Sequence, residues 1–283
     1  MFRTRLQSGI LLVAIALAVL LTGGTLLAVV LFLVSLIAYQ ELTAACKVRG
    51  EKMEPSAPVK VGCVMTLVYY AVMGLALARN ITVAFPAMIL AIVAAFLAFL
   101  FVYVFTFPRY HANQIMAAMV SFLYGPVMLS FLYLIREGLN EGIYLVWFVF
   151  LASWGSDTCA YCVGVLIGKH KMAPELSPKK SVEGAVGGVV GAALLFVLYA
   201  YFVINRYTGM NLPLPFAAVL GAVGALISMV GDLAASAIKR DHGIKDYGKL
   251  IPGHGGIMDR FDSVIVAAPV VFIGIFIGMM LST

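Results

Sequence analysis

Runs of about 18 or more apolar residues recur from one end of this chain to the other, separated by short polar stretches. A run of that length spans the ~30 Å hydrocarbon core of a bilayer as a helix. In lipid every backbone polar group needs an internal partner, and recurring runs of this kind meet that demand as helices rather than as a barrel. Composition agrees, with 63% of residues hydrophobic and 11% charged, against about 45–50% apolar and about 25% charged in soluble domains. The sequence therefore predicts an all-α, polytopic integral membrane helical bundle: one transmembrane domain over 1–283, with N-terminal helices in 1–149 and a catalytic half in 150–283.

Apolar segments fall at about 9–22, 25–39, 61–78, 83–107, 115–135, 142–168, 184–204, 214–238 and 263–281. Thr22-Gly23-Gly24 divides the first two, leaving either a tight hairpin or one broken helix, and so about nine spans with eight as the alternative. With nine, sixteen of the 19 Lys and Arg residues fall on one side and only Arg79, Arg136 and Arg206 on the other. By the positive-inside rule the richer side is cytoplasmic. The expected topology puts the N-terminus and the loops 169–183 and 239–262 in the cytoplasm and the C-terminus outside. Arg3 and Arg5 precede an apolar stretch but no A-x-A cleavage site follows, so this reads as a retained span. The C-x-x-C of Cys159 and Cys162 lacks the second pair of a zinc site and reads as packing.

Ionisable residues at membrane depth are costly and usually mark function. Asp157 lies inside the sixth span and Asp232 inside the eighth. Helical spacing puts Ser236 one turn after Asp232, with Lys239 and Arg240 a further turn on, while Asp157 shares a stripe with Tyr161, Gly164 and Gly168, where another backbone can approach. Two other readings stay open for these aspartates: an ion pair that fixes packing, and the coupling-ion site of a transporter.

In the first loop, Ser177-Pro178 signals a turn, and Lys179 and Lys180 precede a helix start, a natural phosphate site. Gly184, Gly187, Gly188 and Gly191 read as helix-packing positions. In the second, Pro252-Gly253-His254-Gly255-Gly256 forces an irregular turn whose N–H groups can converge on an anion. A helix from about Ile257 then places Asp259 and Asp262 one turn apart. Carboxylates at Asp232, Asp259 and Asp262 beside phosphate-binding cations are the ingredients of a magnesium site for phosphoryl chemistry.

The stretch "SAIKRDHGIKDYGKLIPGHGGIMDRFD" resembles the signature of phosphatidate cytidylyltransferases, the CDP-diacylglycerol synthases. Its fixed positions are Ser236, Lys239, Arg240, Lys245, Asp246, Pro252, His254, Gly255, Gly256, Asp259, Arg260 and Asp262. The segment "SDTCAYCVGVLIGKHKMAPELSPKKSVEG" is similar to the family's upstream elements, and Glu41 after the second span is a weaker likeness. The resemblance implies a magnesium-dependent enzyme, with room for a second cation, that joins CTP to phosphatidate and releases pyrophosphate. It implies a homodimer among membrane lipids and no nucleic-acid partner. The family's metal aspartates fall on Asp232 and Asp259, with Asp157 and Asp262 nearby. Lys239, Arg240 and Arg260 join the catalytic set as phosphate ligands, and the substrate-binding set is Ser177, Lys179, Lys180, Ser236, Lys245, Asp246, His254, Gly255 and Gly256. A bacterial plasma (inner) membrane suits a chain without a long soluble extension. The same chemistry on another lipid phosphate, such as an isoprenoid ether lipid, is the nearest alternative.

Overall fold

Long apolar stretches with few interior breakers leave the backbone one way to satisfy itself in lipid, and the chain takes it. The computed structural model describes residues 2–48, 56–251, 253 and 255–281. Among them run nine helices: α1 (Phe2–Thr22), α2 (Gly24–Ala45), α3 (Ala57–Leu77), α4 (Ile81–Thr106), α5 (Ala112–Gly138), α6 (Gly142–Ile167), α7 (Val182–Tyr207), α8 (Leu214–Asp241) and α9 (Met258–Leu281). Eight of these, α2 to α9, are long and apolar enough to cross a membrane. In α1 the apolar stretch runs only from Gly9 to Thr22, roughly 20 Å at about 1.5 Å per residue. The protein is an all-α integral membrane protein.

The chain divides into two compact units, Met1–Leu139 with Asp241–Arg260, and Asn140–Arg240 with Phe261–Thr283. The 241–260 stretch thus packs with the N-terminal helices.

In the first unit, residues 9–39 form two helices and not one. Gly23 and Gly24 both take positive φ, 66° and 56°, a backbone that glycine adopts without steric cost. The break exposes carbonyls ending α1 and amides opening α2, and two charged side chains of α5 take them up. Arg136 donates to the carbonyls of Leu20 (2.8 Å) and Leu21 (3.2 Å), and Glu137 accepts from the Gly24 N–H at 2.8 Å. Deeper in the same unit, hydroxyls pair with hydroxyls: Ser35 with Tyr70 at 2.7 Å and Tyr69 with Ser130 at 2.9 Å. A buried hydroxyl without such a partner would cost about 1–3 kcal/mol.

In the second unit, glycines set the helix spacing. A Cβ added at Gly187 would fall 2.5 Å from Val163, one at Gly191 2.6 Å from Cys159, and one at Gly188 3.0 Å from Ala160. These positions let α7 lie directly against α6, as the small-residue stripe predicts. Small residues do the same for α8: Gly221 faces the Ala192 carbonyl of α7, Gly224 the Ala152 methyl of α6, and Gly231 the Asp262 carbonyl of α9. The helix that carries Asp232 is thereby held on three sides.

One part of the 169–183 loop is not helical. Lys171–Ala173 (β1) and Ser177–Ser181 (β2) pair antiparallel, Lys171 opposite Ser181.

Candidate active site

In the second unit, α6 changes pitch just before its acidic residue. Leu151–Gly155 makes a π-helical turn, and a regular helix resumes at Ser156 with Asp157 in its first turn. Such turns re-aim the side chains that follow and are frequent at functional sites. Asp157 is half-buried and lines a cavity of about 450 Å³ together with Asp232, Lys179, Lys180 and Ser181. The cavity brings together α6, α7, α8 and the hairpin, and Asp157, Asp232, Lys179 and Lys180 are the residues in its lining that the sequence singled out for the site. Lys180 Nζ lies 2.5 Å from Asp232 Oδ2, an ion pair with both side chains about three-quarters buried.

The hairpin that delivers these lysines is tied at its base. Ser181 caps α7 by accepting the Gly184 N–H at 3.1 Å, and the Val182 N–H donates to the His170 carbonyl. Glu183 accepts from the backbone N–H of Lys169 and of His170 and pairs with His170 Nδ1 at 2.5 Å. The helix start expected to offer free amides to a phosphate therefore has two of its donors already bonded within the protein.

Asp262 lies on α9, 8% exposed, with Oδ1 accepting the Ser263 N–H at 2.8 Å. Asp232, Asp157 and Lys239 all lie within electrostatic reach of it. Gly231 eases this approach, because a Cβ there would lie 2.8 Å from Val266 Cγ2 and 3.0 Å from the Asp262 carbonyl. Lys239 and Arg240 occupy the last turn of α8, where cations favour the helix dipole. Lys239 and Ser236 are half-buried and Arg240 is exposed.

The 241–260 stretch of the first unit is folded around carboxylates. Asp259 Oδ2 accepts from the N–H groups of Tyr247 (2.8 Å) and Gly256 (2.9 Å). Glu41, 9% exposed on α2, accepts from Ile257 (3.1 Å) through one oxygen and from Met258 (2.8 Å) through the other. Of the turn expected to gather amides around an anion, the Gly256 N–H meets the protein's own Asp259, and the amides that follow it at Ile257 and Met258 meet Glu41. A helix start buried without acceptors is unstable, and these carboxylates supply them. Gly255 and Gly256, expected to bind substrate, make room for this arrangement. Gly255 has φ +86°, a Cβ there would fall 2.7 Å from Asp259 Oδ2, and a side chain at Gly256 would overlap the Glu41 carboxylate. Pro252 and His254 lie outside the described residues. Beside this turn, Lys245, Asp246, Lys249 and Arg260 line an open cleft of about 590 Å³ with a surplus of positive charge.

Among the described residues no three His, Cys, Asp or Glu side chains form a ready metal cluster. Magnesium does not require one: it usually takes one or two protein carboxylates, with waters and substrate phosphates completing the octahedron. Asp157 and Asp232, facing one cavity beside two lysines, fit that pattern. Sequence reasoning did not foresee the roles of Glu183, His170 and Arg136, and gave Glu41 none. The local signal for Glu183 was its place two residues after the Ser181 cap. Glu41 had no local signal, since its partners lie more than 200 residues away.

A model of the cytidylyltransferase family matches residues 3–277. The phosphatidate cytidylyltransferase of Staphylococcus saprophyticus is 40% identical over 143 residues, 50% of this chain and 53% of that one. That of Haemophilus influenzae is 41% identical over 129 residues, 46% and 44% of the two chains. That of Staphylococcus aureus is 39% identical over 133 residues, 47% and 49%. The match thus spans about half the length of these curated relatives.

Proposed function

We propose that this chain, which belongs to the cytidylyltransferase family, transfers the cytidylyl group of CTP to phosphatidate, releasing pyrophosphate and forming CDP-diacylglycerol. The observation that carries this reading is the cavity in which Asp157 and Asp232 face Lys179 and Lys180. Two carboxylates with two cations at the rim of a membrane span suit a reaction between a lipid phosphate and a nucleotide. The names of the relatives supply phosphatidate and the cytidylyl group, and nothing in the cavity favours transport or another lipid phosphate.

In this reading an oxygen of the phosphatidate phosphate attacks the α-phosphorus of CTP. A new P–O bond forms as the bond from the α-phosphorus to the bridging oxygen of the pyrophosphate breaks, and that oxygen leaves with the electron pair. Phosphoryl-type transfer asks a protein mainly for positioning and charge neutralisation. Lys179 and Lys180 hold phosphate oxygens, Lys180 turning from Asp232 to the substrate, and Lys239 and Arg240 add positive charge at the end of α8. Lys245, Lys249 and Arg260 make the loop cleft a second phosphate-binding surface. Asp232 and Asp157 hold magnesium, with Asp262 adding negative charge behind them. Asp259 pins the loop through Oδ2. When bound, the ion neutralises phosphate charge and stabilises the departing pyrophosphate.

The excess of Lys and Arg in the loops supports a cytoplasmic placement of 169–183 and 239–262 in a bacterial inner membrane. We also propose a homodimer. The test of the reaction is transfer of label from [α-32P]CTP into chloroform-soluble lipid by purified protein in phosphatidate–detergent micelles with magnesium. Label that requires phosphatidate and is lost with EDTA supports the reading. A folded protein that labels no lipid contradicts it.

A further inference from the structure

The Glu41 carboxylate belongs to no substrate-binding surface described above, yet it is the most completely enclosed acidic group among the described residues of the first unit. Both oxygens are committed, one to each of two consecutive N–H groups at the start of α9. Gly248 and Gly256 wall it so closely that a side chain at either position would overlap it. The next residue after Met258 is Asp259, which holds Tyr247 and Gly256, and then Arg260, which lines the basic cleft.

We infer that Glu41 is a positioning residue for the reaction: an internal anion that fixes the first turn of α9, and through it the orientation of Asp259 and Arg260. The inference rests on the cytidylyl-transfer reading. It carries a second consequence. Amides at a helix start are a ready phosphate site, and Glu41 fills this one, so substrate phosphates in this unit are bound by side chains and not by the α9 N-terminus. The carboxylate from the N-terminal part of the chain is thereby part of the apparatus that the C-terminal signature encodes.

The test uses the full chain in phosphatidate–detergent micelles, comparing wild type with Glu41→Ala and Glu41→Gln. It reads kcat, the KM for CTP and for phosphatidate, thermal unfolding and amide exchange at Ile257 and Met258. Displacement of catalytic groups by about 1 Å can cost about 100-fold in rate. The expected result is a kcat for Glu41→Ala lower by about that factor, with an unfolding midpoint lowered by the loss of two buried amide acceptors but folded protein retained, phosphatidate KM little changed and faster exchange at both amides. Glu41→Gln keeps one acceptor oxygen and turns a donor toward the other amide. It is expected to recover about tenfold of the lost rate, with fast exchange at one amide only. Wild-type kcat in a folded Glu41→Ala overturns the inference, as does an activity loss that merely tracks loss of folded protein. Should Glu41→Ala not fold, Glu41→Gln decides: unchanged kcat with both amides still protected overturns it. A wild type that releases no pyrophosphate would sink the proposed reaction, and amide exchange would still judge whether Glu41 holds the α9 start.

Discussion

In the first unit, Glu41 of α2 and Asp259 spend oxygens on backbone amides of the 241–260 stretch; in the second unit, Asp157 and Asp232 face a cavity and Asp232 meets a lysine. The side chains are nearly alike, and their neighbours decide the difference. A turn followed by a helix start presents several unbonded N–H groups, and a nearby carboxylate satisfies them. The middle of α8 presents none, because every interior amide already bonds within the helix. Asp232 is therefore left with charge to offer, at the price of lying within a membrane span. A carboxylate intended for chemistry is best placed on a helix body, and one intended for architecture beside a turn.

The comparison can be broken most directly at Asp232. Asp232→Asn keeps size and removes charge, and we expect kcat to fall by about 10³-fold or more with the unfolding midpoint unchanged, as steady-state rates and thermal melts would show. Asp259 sharpens it. Asp259→Asn retains an oxygen able to accept from Tyr247 and Gly256, whereas Asp259→Ala does not. The alanine variant should lose roughly 10²-fold and the asparagine variant clearly less, in kcat measured side by side. Equal losses would mean that charge, not loop geometry, is what Asp259 contributes.

Lys180 comes next. Lys180→Met should lower kcat/KM by about 10- to 100-fold, since a charge-assisted contact to phosphate is worth roughly 1.5–3 kcal/mol. Lys180→Arg should restore it only in part, because a planar fork does not replace a compact ammonium. A smaller effect tests the scaffold. Gly187→Leu forces α7 away from Val163 and should destabilise by about 1–3 kcal/mol, read by thermal unfolding. Smallest is Ser181→Ala, which removes the cap on Gly184 and should cost about 1 kcal/mol.

Much of this was written locally in the chain. The spans follow from apolar runs, and the packing role of Gly184, Gly187, Gly188 and Gly191 from spacing that aligns small residues on one helix face. Asp157 and Asp232 stand out because charge inside a span is costly. What was not legible depended on partners distant in sequence. Arg136 looked like a topology marker and is a cap for the α1–α2 break, 115 or more residues away. The glycine-rich turn was visible as a possible nest, but the partners of the Gly256, Ile257 and Met258 amides, Asp259 and Glu41, could not be told from a bound phosphate by local pattern. The β1–β2 hairpin escaped notice because Lys, Ser and Pro in "SPKKS" give no alternation of apolar and polar residues.

The most direct test of the account is the initial rate of pyrophosphate release by Asp232→Asn and Asp259→Asn in one preparation, across a magnesium titration. Asp232→Asn is expected to be slower by at least about tenfold at every magnesium concentration, and Asp259→Asn to keep measurable turnover. An Asp259→Asn enzyme as inactive as Asp232→Asn, or more so, would contradict the division between carboxylates that do chemistry and carboxylates that hold the backbone.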